Sequence, residues 1–152
     1  MDPLSNDLIG IAGVHWVVTK LSMRGMVAMP TMRNTGGIDI LVSSRDGKRM
    51  VSLQVKASGK KVKFWPAPNH DKVLDGKNCF YVFLRYIKSD ENFEAFLVSG
   101  AEVKKQVKEN ADYYRKKGMK EFPYFEVYKE DEGVYQKDWL EFVIKGCRNQ
   151  RK

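Results

Sequence analysis

A β-hairpin signature between Gly36 and Ser58 limits the folds open to this chain more than any other stretch. Gly-Gly-Ile-Asp-Ile-Leu-Val leads into a polar turn at Ser44–Lys48. Met-Val-Ser-Leu-Gln-Val-Lys-Ala-Ser follows. Both flanks are β-branched and alternate, and Arg45-Asp46-Gly47-Lys48 carries the Asp-Gly signal of a tight turn. Ile38, Ile40 and Val42 share one face of the first strand, opposite Asp39. Val51, Leu53 and Val55 share a face of the second, opposite Ser52, Gln54 and Lys56. Burying the two apolar faces together brings Asp39, Gln54 and Lys56 out on one side of the sheet.

The surrounding order predicts a mixed α/β domain. Residues 5–24 form a helix capped by Ser5 or Asn6, with Asp7 in its first turn and Gly25 as its stop. Its apolar stripe is Leu8, Ile11, Val14, Val17, Val18 and Leu21. A short strand spans Met26–Met29, ended by Pro30, and Thr31–Gly37 is a loop. Cys79–Ile87 is apolar almost throughout and is expected as a central strand, with Phe93–Val98 as another. Ser99 and Glu102 form a capping box for a helix running to about Lys117 and stopped by Gly118. Val103, Val107, Ala111 and Tyr114 supply its buried side. Tyr124–Tyr128 is a late strand, and Tyr135–Ile144 fits helix or strand equally. Residues 1–147 make a single domain and 148–152 a basic tail. A sheet flanked by helices accounts for this order.

At 152 residues, 43% hydrophobic and 12% aromatic, the chain can bury a core of its own. Cys79 and Cys147 match no metal or redox spacing, which fits a reduced intracellular, cytoplasmic protein. No apolar run approaches the length of a membrane span. A net charge of +8 and a pI of about 9.4 point to a polyanionic partner, nucleic acid first. The run Lys60-Lys61-Val62-Lys63-Phe64-Trp65 fits two arrangements. It can track a phosphate backbone with Trp65 stacked on a base, or form an edge strand with Trp65 in the core. The charges of the Ser99–Lys117 helix describe a solvated face, and Trp139 to Ile144 close the domain by packing.

Gly-x-Asp followed fifteen residues later by Gln-Val-Lys, behind an N-terminal helix, resembles the PD-(D/E)XK nuclease superfamily. It is most similar to small uncharacterised bacterial members with a Gln-Val-Lys ending and to Holliday-junction-resolvase relatives. The resemblance covers residues 8–58 by motif and implies a single restriction-endonuclease-like domain with a mixed central sheet flanked by helices. It implies a metal-dependent DNA endonuclease that hydrolyses phosphodiester bonds with Mg²⁺ or Mn²⁺. Asp39 would be the metal-bridging carboxylate, with Gln54 and the Val55 backbone carbonyl as further ligands. Lys56 would orient the attacking water or neutralise the phosphate. The basic run beyond the motif, with Lys60, Lys61, Lys63 and Trp65, is the stretch expected to bind nucleic acid, and a homodimer follows by analogy with the family.

The sequence departs from the family at its first helix, where relatives carry a Glu inside a Gly-Glu-His-like run. Gly13-Val14-His15-Trp16 puts Val14 there. Asp7 lies two helical turns away, about 10 Å by helix rise, and is set aside as a substitute. Asp71 and Asp75, and also His70, belong to a loop long enough to reach the site. With Val14 apolar, an alternative stands beside the nuclease: a catalytically degenerate frame that binds nucleic acid or a protein partner. A third reading leaves the basic charge incidental and the fold serving assembly.

Overall fold

The computed structural model describes residues 4–32, 36–136 and 138–148, with the side chains of 146–148 left aside. Ser5 caps the first helix, α1 (Asn6–Met23), by accepting from the Leu8 N–H. Gly25 ends it with φ +81°, a left-handed turn that suits glycine. Strands β1 (Val27–Pro30), β2 (Ile40–Ser43) and β3 (Met50–Ser58) follow as an antiparallel meander. The β2–β3 turn is built as the Asp-Gly signal requires. Gly47 takes φ +69°, and the Asp46 carboxylate accepts from the Ser44 hydroxyl and the Lys48 N–H.

Between β3 and the next long strand the chain forms β4 (Phe64–Pro66) and a 3₁₀ turn at His70–Lys72. Strand β5 (Cys79–Ile87) lies parallel to β3, and β6 (Asn92–Ser99) returns antiparallel beside it. The five-stranded mixed sheet has the order β1-β2-β3-β5-β6. β4 pairs with β7 (Tyr124–Glu126) in a separate two-stranded sheet. Ser99 caps α2 (Gly100–Lys116) by accepting from the Glu102 N–H. The ambiguous C-terminal stretch is helical, as α3 (Glu132–Gln136) and α4 (Trp139–Arg148). Arg148 is therefore the last helical residue rather than the first of a tail, and the other tail residues, 149–152, lie outside the described residues.

Two cores lie on opposite faces of the sheet. Phe80, Val82 and Leu84 of β5 face α1 and α4, packing with Val17, Leu21, Val143 and Ile144. Tyr81 and Phe83 face α2 and the small sheet, packing with Trp65, Val103, Val107 and Phe125. The strand is hydrophobic on both sides because both sides are covered.

The helix stripe differs from the sequence expectation. α1 buries Ile9, Gly13, Val17 and Leu21, an i, i+4 row, while Leu8 and Ile11 are exposed. Gly13 sets this orientation: a Cβ there would stand 2.9 Å from Leu84 Cδ1 and 3.1 Å from Ala57 Cβ. Without a side chain the helix axis comes close to the sheet, and the residues in line with Gly13 are buried. Leu8 and Ile11 then fall on the outer side. Among the described residues no helix is long and apolar enough to cross a membrane.

Candidate functional site

Asp39 stands just before β2, where the chain enters the sheet through two glycines in left-handed conformations, Gly36 (φ +63°) and Gly37 (φ +86°). Its backbone is fixed from both sides. The Asp39 N–H donates to the Leu53 carbonyl at 2.9 Å, and the Asp39 carbonyl accepts from the Thr31 N–H at 2.9 Å. Thr31 also donates its hydroxyl to the Ile38 carbonyl at 2.5 Å. Beyond the Ile40–Leu53 pair, β2 and β3 part company while β3 continues along β5 as far as Ser58. The Val55 N–H, on the side β2 has vacated, donates instead to Asp39 Oδ2 at 2.7 Å. In a strand the N–H and C=O of one residue point the same way, so the Val55 carbonyl is turned to the same vacated side of β3.

Burial pushes the Asp39 carboxyl above the usual carboxylate range, against the Val55 hydrogen bond and the positive charge of Lys56, which both favour the ionised form. Gln54 and Lys56 are half-buried and lie on the face opposite Val55, in register with Tyr81 and Phe83 of β5. The Gln54 amide lies beside Gly37, whose missing Cβ would stand 3.6 Å from Gln54 Nε2.

Asp39 and Val55 border a cleft of about 640 Å³ between the N-terminal half of α1 and the ends of β1 and β2. Asp7, Val14 and His15 of α1 and Thr31 share its lining. Val14 therefore presents an apolar side chain to this space. Asp7, set aside on distance, lines the same cleft as Asp39. Positions 7 and 14 fall within about 20° of each other around a helix, so the shared face was legible. A long cleft accommodates the axial separation that counted against it. Gln54 and Lys56 do not line the cleft; they stand behind it, next to Asp39.

Other expected contributors lie elsewhere. Trp65 is 1% exposed, and its Nε1 donates to the Leu84 carbonyl at 3.0 Å. It fills the core between Phe83 and Phe96 and is closed to any base, so the core alternative for this residue holds. Lys63 is 18% exposed and forms ion pairs with Glu132 and, at 3.9 Å, with Glu94. Its charge is already matched within the fold. Lys60 and Lys61 remain exposed, on a loop held by Arg85, which donates to the Lys61 carbonyl. At Gly59 that loop packs on Ile9 of α1, where a Cβ would stand 2.8 Å from Cδ1, so the two lysines start beside the cleft helix. His70 and Asp71 line a different cavity, against α2, and Asp75 pairs with Lys104 at 2.7 Å. None of the three reaches Asp39's cleft. Among the described residues no group of three His, Cys, Asp or Glu side chains is placed to hold a metal ion.

No protein-family model and no curated protein matches the chain. Its structure is similar to that of a bacterial homing endonuclease, with a TM-score of 0.52 and 12% sequence identity over 95% of both chains. The mixed sheet flanked by helices is thus a nuclease-like fold.

Proposed function

We propose that this chain is a nuclease-like protein of the PD-(D/E)XK type that hydrolyses phosphodiester bonds of DNA, with Asp39, Gln54 and Lys56 at its centre. One observation carries the reading. The half-buried Asp39 carboxylate is held at 2.7 Å by the Val55 N–H at the point where β2 and β3 separate, with Lys56 close enough to act on its ionisation. A carboxylate kept rigidly at a strand fork, with a backbone carbonyl and a cation beside it, suits phosphate chemistry.

The donors bordering the cleft at Asp39 are its carboxylate and the Val55 carbonyl, with the Gln54 amide behind them beside Gly37. They fit a hard divalent ion, Mg²⁺ or Mn²⁺, in kind, and carry a single negative charge among them. Asp39 and the Val55 carbonyl would hold the ion, with Gln54 as a third donor. The ion would polarise the phosphate and lower the pKa of a bound water. Lys56 would offset charge gathering on the phosphate, and exposed Lys60 and Lys61 would hold the DNA backbone beside the cleft.

A second reading is favoured by Val14, whose apolar side chain lines the cleft where relatives carry an acid. It gives a catalytically degenerate frame that binds nucleic acid. Cleavage of linear, nicked and branched DNA with Mg²⁺ and with Mn²⁺, wild type beside Asp39→Ala, separates the two. Metal-dependent cleavage lost in Asp39→Ala supports the nuclease. Salt-sensitive binding without cleavage in any metal, unchanged in Asp39→Ala, supports the degenerate frame.

A further inference from the structure

Away from the cleft, five aromatic rings form a continuous ridge where α2 meets the β4–β7 sheet. Tyr113 touches Tyr114 with ring centroids 5.7 Å apart, and Tyr114 meets Tyr124 at 6.5 Å. Tyr124 lies 4.8 Å from Phe64, and Phe64 stacks on Phe122 at 5.9 Å. Both ends of the ridge face solvent: Tyr113 is 58% exposed and Phe122 is 48% exposed. Neither position is needed to fill a core, since the buried cluster of this layer closes with Trp65, Phe83 and Phe125 instead.

Glu126 stands across the small sheet from Phe64, and the charge at the two ends of the ridge is positive and largely uncommitted. Arg115 satisfies the nearby acids, bridging Asp112 and Glu121 at 3.0 Å each. Lys116, Lys117 and Lys120 have no ion-pair partner among the described residues. Lys117 Nζ lies 5.7 Å over the Tyr113 ring, a cation beside a π-face. Phe64 also follows closely on the exposed Lys60–Lys61 loop. From Gly59, packed on the cleft helix, to Phe64 the chain spans at most about 17 Å. The basic loop therefore leads from the cleft to the ridge.

We infer that this ridge is a binding surface for unpaired bases of a single nucleic-acid strand, stacked on Phe122 and Tyr113, with Lys117 and Lys120 on its phosphates. Aromatic faces interleaved with unpaired lysines are what a single strand needs, because every base has a π-face and every linkage a charge. A duplex, with its bases already stacked, has no use for the rings. The inference adds a strand-binding surface to the proposed DNA function and does not need the cleft to be catalytic.

The test is fluorescence anisotropy with three labelled probes of about 20 nucleotides: oligo-dT, an abasic strand of equal length, and a blunt duplex. The wild type is expected to bind oligo-dT about tenfold more tightly than the abasic strand. Phe122→Ala with Tyr113→Ala, both at exposed positions, should remove that tenfold preference and leave duplex affinity unchanged. Lys117→Ala with Lys120→Ala should weaken oligo-dT and the abasic strand together. Equal affinity of the wild type for oligo-dT and abasic strand, or a preference that survives loss of both rings, overturns the inference. Cleavage of duplex DNA that depends on Asp39, together with no preference for bases, would sink this inference and leave the nuclease standing. A base preference that requires the rings, without cleavage in any metal, would establish the ridge and sink the nuclease.

Discussion

The Val55 N–H and the Asp39 carboxylate form a 2.7 Å hydrogen bond at the fork between β2 and β3, where a neighbouring strand would ordinarily supply the acceptor. The side chain thus completes the sheet's hydrogen bonding and is fixed by doing so. Asp39→Ala leaves a strand N–H without its partner and is expected to cost about 1–3 kcal/mol. Asp39→Asn keeps an acceptor oxygen and should cost less, while losing activity equally. Urea denaturation of both variants, set beside their cleavage rates, checks this.

The same carboxyl gives a pH signature. Its folded pKa is raised, chiefly by burial, so the folded state binds the proton more tightly than the unfolded state. The stabilising contribution of the protonated form is complete below the unfolded carboxylate pKa and is lost as pH rises through the folded value. Asp39→Asn has no such loss. The stability of Asp39→Asn relative to wild type should therefore climb across that window and level off above it, as followed by urea midpoints from acid to neutral pH. Lys56→Gln, which removes the nearby cation, should raise the Asp39 pKa further in a carboxyl-carbon NMR titration.

Val14 offers a gain-of-function experiment. It lines the cleft with Asp39, and Val14→Glu adds a second carboxylate where relatives of the resembled family carry one. The variant is expected to bind Mn²⁺ at least tenfold more tightly by calorimetry, an increment of about 1.4 kcal/mol. Combining it with Asp39→Ala should abolish the gain.

The lysines of the 60–63 loop divide by role. Lys60→Ala with Lys61→Ala should reduce the slope of log affinity for duplex DNA against log salt by about 0.9 for each phosphate that goes unneutralised, with little change in stability. Lys63→Ala should leave that slope unchanged. It would instead destabilise the fold by about 1 kcal/mol, by leaving Glu132 without its cation while Glu94 keeps Arg85.

Trp65 is structural. Trp65→Phe deletes the donor to the Leu84 carbonyl and should cost about 1–3 kcal/mol. The nucleic-acid affinity of the folded fraction should be unchanged. Denaturation and anisotropy on the same sample test both parts.

The elements legible in the sequence are those whose signal is local. The Asp-Gly turn, the Ser5 and Ser99 caps and the apolar run of Cys79–Ile87 each state their structure within a short stretch of chain, and each is found. The failures are non-local. Nothing near Leu8 says that Gly13 will draw α1 onto Leu84 and turn Leu8 outward. The Lys60–Trp65 run leaves a nucleic-acid surface and a core Trp65 open alike, and only Glu132 and Phe125, from the last third of the chain, decide Lys63 and Trp65 for the fold. The Asp39 site is legible as a set of residue types at a hairpin. Its cleft is legible only in part: positions 7 and 14 share a helix face by spacing, but packing rather than a motif sets that face beside Asp39.

The pairing of β4 with β7 has a consequence for the order in which the molecule assembles. Phe64 and Glu126 are far apart in the chain, so closing that small sheet carries a larger loop entropy than the neighbouring hairpins. During synthesis, α1, the meander and the β5–β6 pair emerge before β7 exists to meet β4. The fork that holds Asp39 can therefore form early, while the ridge, which needs Phe122, Tyr124 and the β4–β7 pairing, waits for the last third of the chain. A ribosome-bound chain ending before Tyr124 would carry the first without the second.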